Sequence, residues 1–215
     1  MDFLNDHKKL SLLPGDDSTR GRIINAALEE FSQYGQAGAR VDRIAKKAGI
    51  NKAMIYYHFN SKENLYLEMI KSFFTKITRE IDNRLNITGT AVEILYGITE
   101  IYTHLLASHN PIRSILLREL ANPDSDIIEQ IAEVMVDSRV SERLRAILQE
   151  GIDAGKLRPV NVRQAVVSFM AMNIGYFTIY PIADRVLQVE NREQFIHERK
   201  EAVLDLFLNG IKAKQ

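Results

Sequence analysis

The sequence predicts an all-α protein of about nine helices, and three observations carry that expectation. Apolar residues recur at every third or fourth position from Ile23 to Ile211. The strict alternation of a half-buried strand persists nowhere. Glycine, proline and asparagine punctuate the pattern at helix-length intervals, as at Gly35, Gly49, Pro159 and Asn161. With 215 residues and 46% hydrophobic content, the chain can bury a full core.

The first helix is expected to start at Ser18 or Thr19, both competent caps, and to run to Tyr34, with Gly35 as its stop. Ile23, Ala27, Phe31 and Tyr34 form its inward face. A second helix covers Val41–Ala48, with Val41, Ile44, Ala45 and Ala48 inward, and a third covers Lys52–His58. Ser61 opens a fourth helix of about six turns, which joins the N-terminal segment to the rest without a flexible linker. Helical period then continues over residues 90–108, 112–121, 125–154, 161–180 and 192–212, with Pro181 placed to kink or end the penultimate helix. Three divisions result: an arm over 1–17, a small helical domain over 18–65 and a larger one over 66–215.

Residues 41–63 have the local chemistry of a helix-turn-helix. Ala45 is small enough for a second helix to cross closely, and Gly49 can take the positive φ that ends the first. Asn51 can cap the next helix. That helix carries Lys52, Ala53, Met54, Tyr56, Tyr57 and His58, an aromatic and basic surface that a DNA major groove explains better than core packing.

Net charge is zero, but its distribution is uneven. Residues 1–17 hold two lysines against four aspartates, for −2, and residues 18–65 hold eight basic against four acidic residues, for +4, leaving −2 for the remainder. A basic unit is joined to a mildly acidic one, in keeping with nucleic-acid binding. Without cysteine there is no disulfide, thiolate metal site or cysteine nucleophile. The five histidines (7, 58, 104, 109, 197) never stand four apart, and no metal, cofactor, phosphate-binding glycine loop or catalytic constellation is expected, so the chain is read as a non-enzyme. Charge is expected to interrupt every apolar run, which argues against a membrane span, and the N-terminus lacks the order of a signal peptide. A cytoplasmic setting follows.

The stretch from Arg22 to Ile70, with Gly35, Val41, Ile44-Ala45, Ala48-Gly49, the run Tyr56-Tyr57-His58-Phe59 and Ser61-Lys62-Glu63, resembles the N-terminal domain of TetR/AcrR-type transcriptional regulators. The resemblance covers about 50 residues and extends to the rest as architecture alone. It implies a homodimer on a palindromic double-stranded DNA operator, with recognition helices in successive major grooves about 34–36 Å apart. It also implies a small-molecule effector that tilts the fourth helix and releases the operator. Carried over by position, Lys52, Ala53, Met54, Tyr56 and Tyr57 fall at the groove, and Thr19, His58 and Lys62 where phosphates are contacted, while Ile55 and Phe59 should be core. Where the family has a capping Thr or Ser at the entry to its second helix, this chain has Ala39-Arg40. Arg40 can replace the phosphate contact, but the cap is expected to be lost.

Polar groups on otherwise apolar helices nominate Tyr102, Arg118, Asn173 and Tyr176 for the effector pocket. The penultimate helix is apolar nearly all round, and its pairing with the last nominates Phe169, Phe177, Val203 and Phe207 for the dimer interface. Two other classes stay open at this point: a helical small-molecule-binding or adaptor protein without operator binding, which would need no basic groove surface, and a helical enzyme, which would need a convergent polar site.

Overall fold

The computed structural model describes residues 18–85, 90–107, 111–122 and 125–212. The expected arm over 1–17 and the turn signals at Asn110 and Pro123 lie outside them. Among the described residues there are ten helices: α1 (Thr19–Gly38), α2 (Val41–Ala48), α3 (Lys52–Phe59), α4 (Lys62–Leu85), α5 (Ala91–Ala107), α6 (Pro111–Leu120), α7 (Asp126–Asp137), α8 (Val140–Asp153), α9 (Val162–Val186) and α10 (Arg192–Ile211).

One helix more than expected appears because the span 125–154 is broken. Arg139 takes a left-handed φ of 55°. Ser138 closes both ends, its hydroxyl donating to the Met135 carbonyl at 2.7 Å and accepting from the Val140 N–H at 3.4 Å. Apolar spacing does not reveal such a break, since a side-chain cap supplies what the helical ladder gives up.

The chain forms two compact units, one of Met1–Ile77 with Asn110–Val134, the other of Thr78–His109 with Met135–Gln215. In the first unit α1 packs on α2 and on α6. Ile23, Ala27, Phe31, Ile44, Ile55, Leu65 and Ile112 are all fully buried. Gly35 breaks α1 with φ 68° and ψ 174°, a conformation that suits glycine almost alone, and a short further turn follows to Gly38. Tyr34, expected inward, is 45% exposed because its ring lies under the Arg43 guanidinium, 4.1 Å away. Two polar ties hold α6. The Tyr66 hydroxyl donates to Glu119 at 2.6 Å, and Arg118 Nη1 donates to the Phe31 carbonyl at 3.3 Å.

In the second unit α5 packs on α9 and α10, and α8 on α9. Leu95, Ile98, Leu148, Phe169, Phe177, Val203 and Phe207 are buried there. Pro181 does not end α9, which continues to Val186. Residues 164–183 carry no charge, so the expectation that charge interrupts every apolar run fails in α9. By length and composition alone α9 could cross a membrane. A core helix passes the same test, and Ala165, Val166, Phe169, Asn173, Tyr176 and Phe177 of α9 are buried within the unit.

Candidate nucleic-acid interface

The turn between α2 and α3 is built as its residues dictate. Gly49 adopts φ 66° and ψ 39° and closes α2, its N–H bonding back to the Ala45 and Lys46 carbonyls. The Asn51 carboxamide oxygen accepts the Ala53 N–H at 2.9 Å and caps α3. Ile55 and Phe59 are buried at 0% and 3% exposure and anchor α3 to the core, as expected of them. Their burial leaves Lys52, Ala53, Tyr56 and Tyr57 exposed on the other side, with Tyr57 78% accessible. Met54 is half-buried beside them.

The expected loss of the α2 cap is repaired from α1. Arg40, the residue before α2, makes no side-chain cap. Instead its N–H donates to Glu30 Oε1 at 3.0 Å, and Arg43 Nε donates to the same oxygen at 2.6 Å. Glu30 is 2% exposed. Burial alone would raise its pKa, but the Arg43 hydrogen bond, the Arg40 N–H and the charges of Arg43 and Lys47 together hold it below the ordinary value. A carboxylate at a helix N-terminus also suits the helix dipole. Sequence reasoning missed Glu30 because nothing local separates it from its solvated neighbour Glu29.

Several groove-side cations are already paired within the chain. Lys52 Nζ lies 2.9 Å from Asp42, and Lys47 Nζ lies 2.7 Å from Glu29. The hydrogen bond and charge of Asp42 raise the Lys52 pKa, so Lys52 presents a firm positive charge. Arg40 and Lys46 are exposed, and no ion pair holds either of them among the described residues. Lys62 reaches back to the Ala37 and Ala39 carbonyls at 3.4 and 3.5 Å, which ties the start of α4 to the end of α1. Thr19 is half-buried in the first turn of α1, where Ser18 takes the capping role by accepting the Gly21 N–H at 3.1 Å. His58 is half-buried, with its Nε2 turned inward and without a hydrogen-bond partner.

Residues 23–69 match the family model of bacterial regulatory proteins, tetR family. The N-terminal helix-turn-helix domain is thus of the tetR type over residues 23–69. The fatty acid metabolism regulator protein of Bacillus subtilis is 25% identical over 179 residues, covering 78% of this chain and 91% of that protein. The biofilm operon icaADBC negative transcriptional regulator IcaR of Staphylococcus aureus is 35% identical over 77 residues, covering 36% of this chain and 41% of that one. Among solved structures, FadR from Bacillus subtilis in complex with stearoyl-CoA superposes with a TM-score of 0.71 at 23% identity, over 88% of this chain and 98% of that one. With the helix-turn-helix geometry above, this makes the protein a DNA-binding transcriptional regulator, and its relatives are regulators too.

The residues nominated beyond the tetR-type domain are placed less simply. Arg118 lies in the first unit, exposed, beside Gly35 of α1, whereas Tyr102, Asn173 and Tyr176 belong to the second. Burial alone pushes the Tyr102 hydroxyl up to about 12. Tyr176 is 4% exposed and donates to Asp184 at 2.6 Å. Asn173 is likewise 4% exposed and donates to the Phe169 carbonyl at 2.8 Å. The four residues nominated for a subunit interface are corrected: Phe169, Phe177, Val203 and Phe207 are 0–5% exposed, and the Phe169 and Phe207 rings meet at 5.1 Å inside the unit. They are core because α9 and α10 turn their aromatic stripes toward their own unit. What these helices leave outside is aliphatic: Val167, Ile179, Ile182 and Val186 on α9 and Leu206 on α10, each 56–72% exposed.

Proposed function

We propose that the chain is a homodimeric repressor that binds a palindromic operator and leaves it when a small-molecule effector binds the second unit. The reading rests on one observation above all. α3 is anchored by Ile55 and Phe59 so that Lys52, Ala53, Tyr56 and Tyr57 are exposed together. Lys52 can donate to guanine O6 and N7, and Met54 can lie against a thymine methyl. Thr19, Arg40, His58 and Lys62 are the phosphate-side candidates. For Lys62 this means exchanging two backbone acceptors for a phosphate oxygen. Such a protein acts in the cytoplasm, where the DNA is.

Pairing is read from the outer stripes of the last two helices. On α9, Val167, Ala171 and Gly175 follow at intervals of four, and on α10 Ala202, Leu206 and Gly210 do the same. A Cβ added at Gly175 or Gly210 would meet nothing within 4 Å, so another helix can approach closely there. Two copies joined along these stripes would bury apolar surface now in water and present two recognition helices, as a palindrome requires. FadR of Bacillus subtilis has been solved with stearoyl-CoA, which makes acyl thioesters the first effector class to try. Whatever its identity, the effector must prefer the state that does not fit the operator, since equal affinity for both states shifts nothing.

Fluorescence anisotropy with a duplex selected from a random-sequence pool tests the reading. Binding to the selected duplex should be at least about 10³-fold tighter than to an unselected one. Lys52→Ala should weaken it and reduce the salt slope by about 1. If no duplex is preferred over the pool, the operator reading falls and a helical ligand-binding protein takes its place.

A further inference from the structure

The second unit holds a group of hydrogen-bond donors that its own residues leave unanswered. Thr99 and Thr103 on α5, Asn173 and Phe177 on α9, and Arg199 and Lys200 on α10 line one small cavity. Its volume of about 10 Å³ is room for one water-sized atom, such as a monatomic ion or a single carboxylate oxygen. Thr99 is 1% exposed, and its Oγ1 has no hydrogen-bond partner. Arg199 donates through Nη2 to the Met172 carbonyl at 2.9 Å, and its guanidinium lies 5.2 Å from the centre of the Tyr176 ring. Its Nε is buried and unpaired. No carboxylate stands within ion-pair distance of Arg199 among the described residues. Lys200 Nζ lies 4.0 Å from Glu100. Burial lowers the Arg199 pKa, and only Tyr176 pulls it back.

A partly buried guanidinium without a counter-charge, next to an unpaired buried hydroxyl, is costly by itself. An anion would relieve both at once, accepting from Thr99 Oγ1 and Arg199 Nε. A cation would be repelled by Arg199 and Lys200. An apolar group would leave both donors stranded.

We propose that this cavity is an anion subsite, which takes one monatomic ion or one oxygen of a singly charged carboxylate. The group is either the acidic head of an effector, a case that rests on the effector reading above, or a free ion such as chloride. Phe177, behind the donors, offers an apolar wall to whatever a carboxylate carries.

Thermal unfolding of the full-length protein, followed by circular dichroism at fixed pH and ionic strength, tests this. Replacing isethionate, a bulkier sulfonate, by acetate or chloride should raise Tm by roughly 3–5 °C, the shift expected for a ligand at about ten times its Kd in a chain of this size. Neutral acetamide should raise it by nothing. Arg199→Gln should lose most of the shift, and Thr99→Val, nearly the same shape without the hydroxyl, should lose part of it if the arginine variant fails to fold. A response to chloride alone assigns a free ion, whereas hexanoate acting at a tenth of the acetate concentration or less assigns an effector head. Stabilisation without loss of DNA binding keeps the subsite and removes only its link to operator release. The proposal is overturned if acetate and chloride do no more than isethionate and acetamide, or if the foldable variants respond in full.

Discussion

The first unit answers its inward-facing carboxylates from within, while the second leaves cationic and apolar groups open. Glu30 accepts from the Arg40 N–H and from Arg43, and Glu119 accepts from Tyr66 and Ser125. Thr99 Oγ1 and Arg199 Nε have no such partners, and α9 and α10 carry an aliphatic stripe into solvent. The difference fits the two jobs proposed for them. A recognition surface must hold α3 in one geometry before DNA arrives, because a loose reader loses affinity to ordering cost. A unit that senses and pairs must keep donors and apolar surface available for what binds it.

The largest expected effect separates the core from the stripe. Phe207→Glu places a charge beside Phe169 at a site 5% exposed, and should unfold the protein or cost more than about 4 kcal/mol in urea denaturation. Leu206→Glu, one residue along and 64% exposed, should keep the helical circular dichroism and turn a dimer into a monomer in light scattering. A dimer that survives Leu206→Glu would move the interface off the stripe.

Next in size is Glu30→Gln, which keeps the shape but removes the charge that answers Arg43, at about 1–3 kcal/mol. Because the folded-state pKa of Glu30 lies below its ordinary value of 4.5, its contribution is present above that pH and fades as pH falls through the lowered value. Wild type should therefore lose stability on acidification below about pH 4.5 faster than Glu30→Gln does. Parallel pH profiles would show that Glu30 is not the acid that matters.

The smallest effect tests whether pairing within the first unit restrains it. Asp42→Asn frees Lys52 from its 2.9 Å partner and should tighten binding to a random-sequence duplex by roughly two- to five-fold at low salt, with the gain shrinking as salt rises. An unchanged affinity would mean that the pair opens at no cost when DNA binds.

The helix-turn-helix was legible because its signals are local. Gly49 needs a positive φ, Asn51 caps within two residues, and the spacing from Ile55 to Phe59 is one helical turn, so each can be read from a few neighbouring letters. Glu30 was not legible, since its role depends on an N–H ten residues away. The break at Ser138-Arg139 was also hidden, because a hydroxyl replaces the helix's own bonds there.

For α9 and α10 the sequence alone established that both helices carry apolar surface on several sides, and for residues 18–65 that they hold an excess of positive charge. Which side of each helix faces its own unit is a property of packing. An all-round apolar helix has no amphipathic face to give its orientation away, so aromatics in the core and aliphatics outside could be assigned only in three dimensions. The meeting of Thr99, Asn173 and Arg199 is likewise tertiary. Thr99 lies 74 residues before Asn173 and 100 before Arg199, and they share one cavity only because α5 packs against α9 and α10.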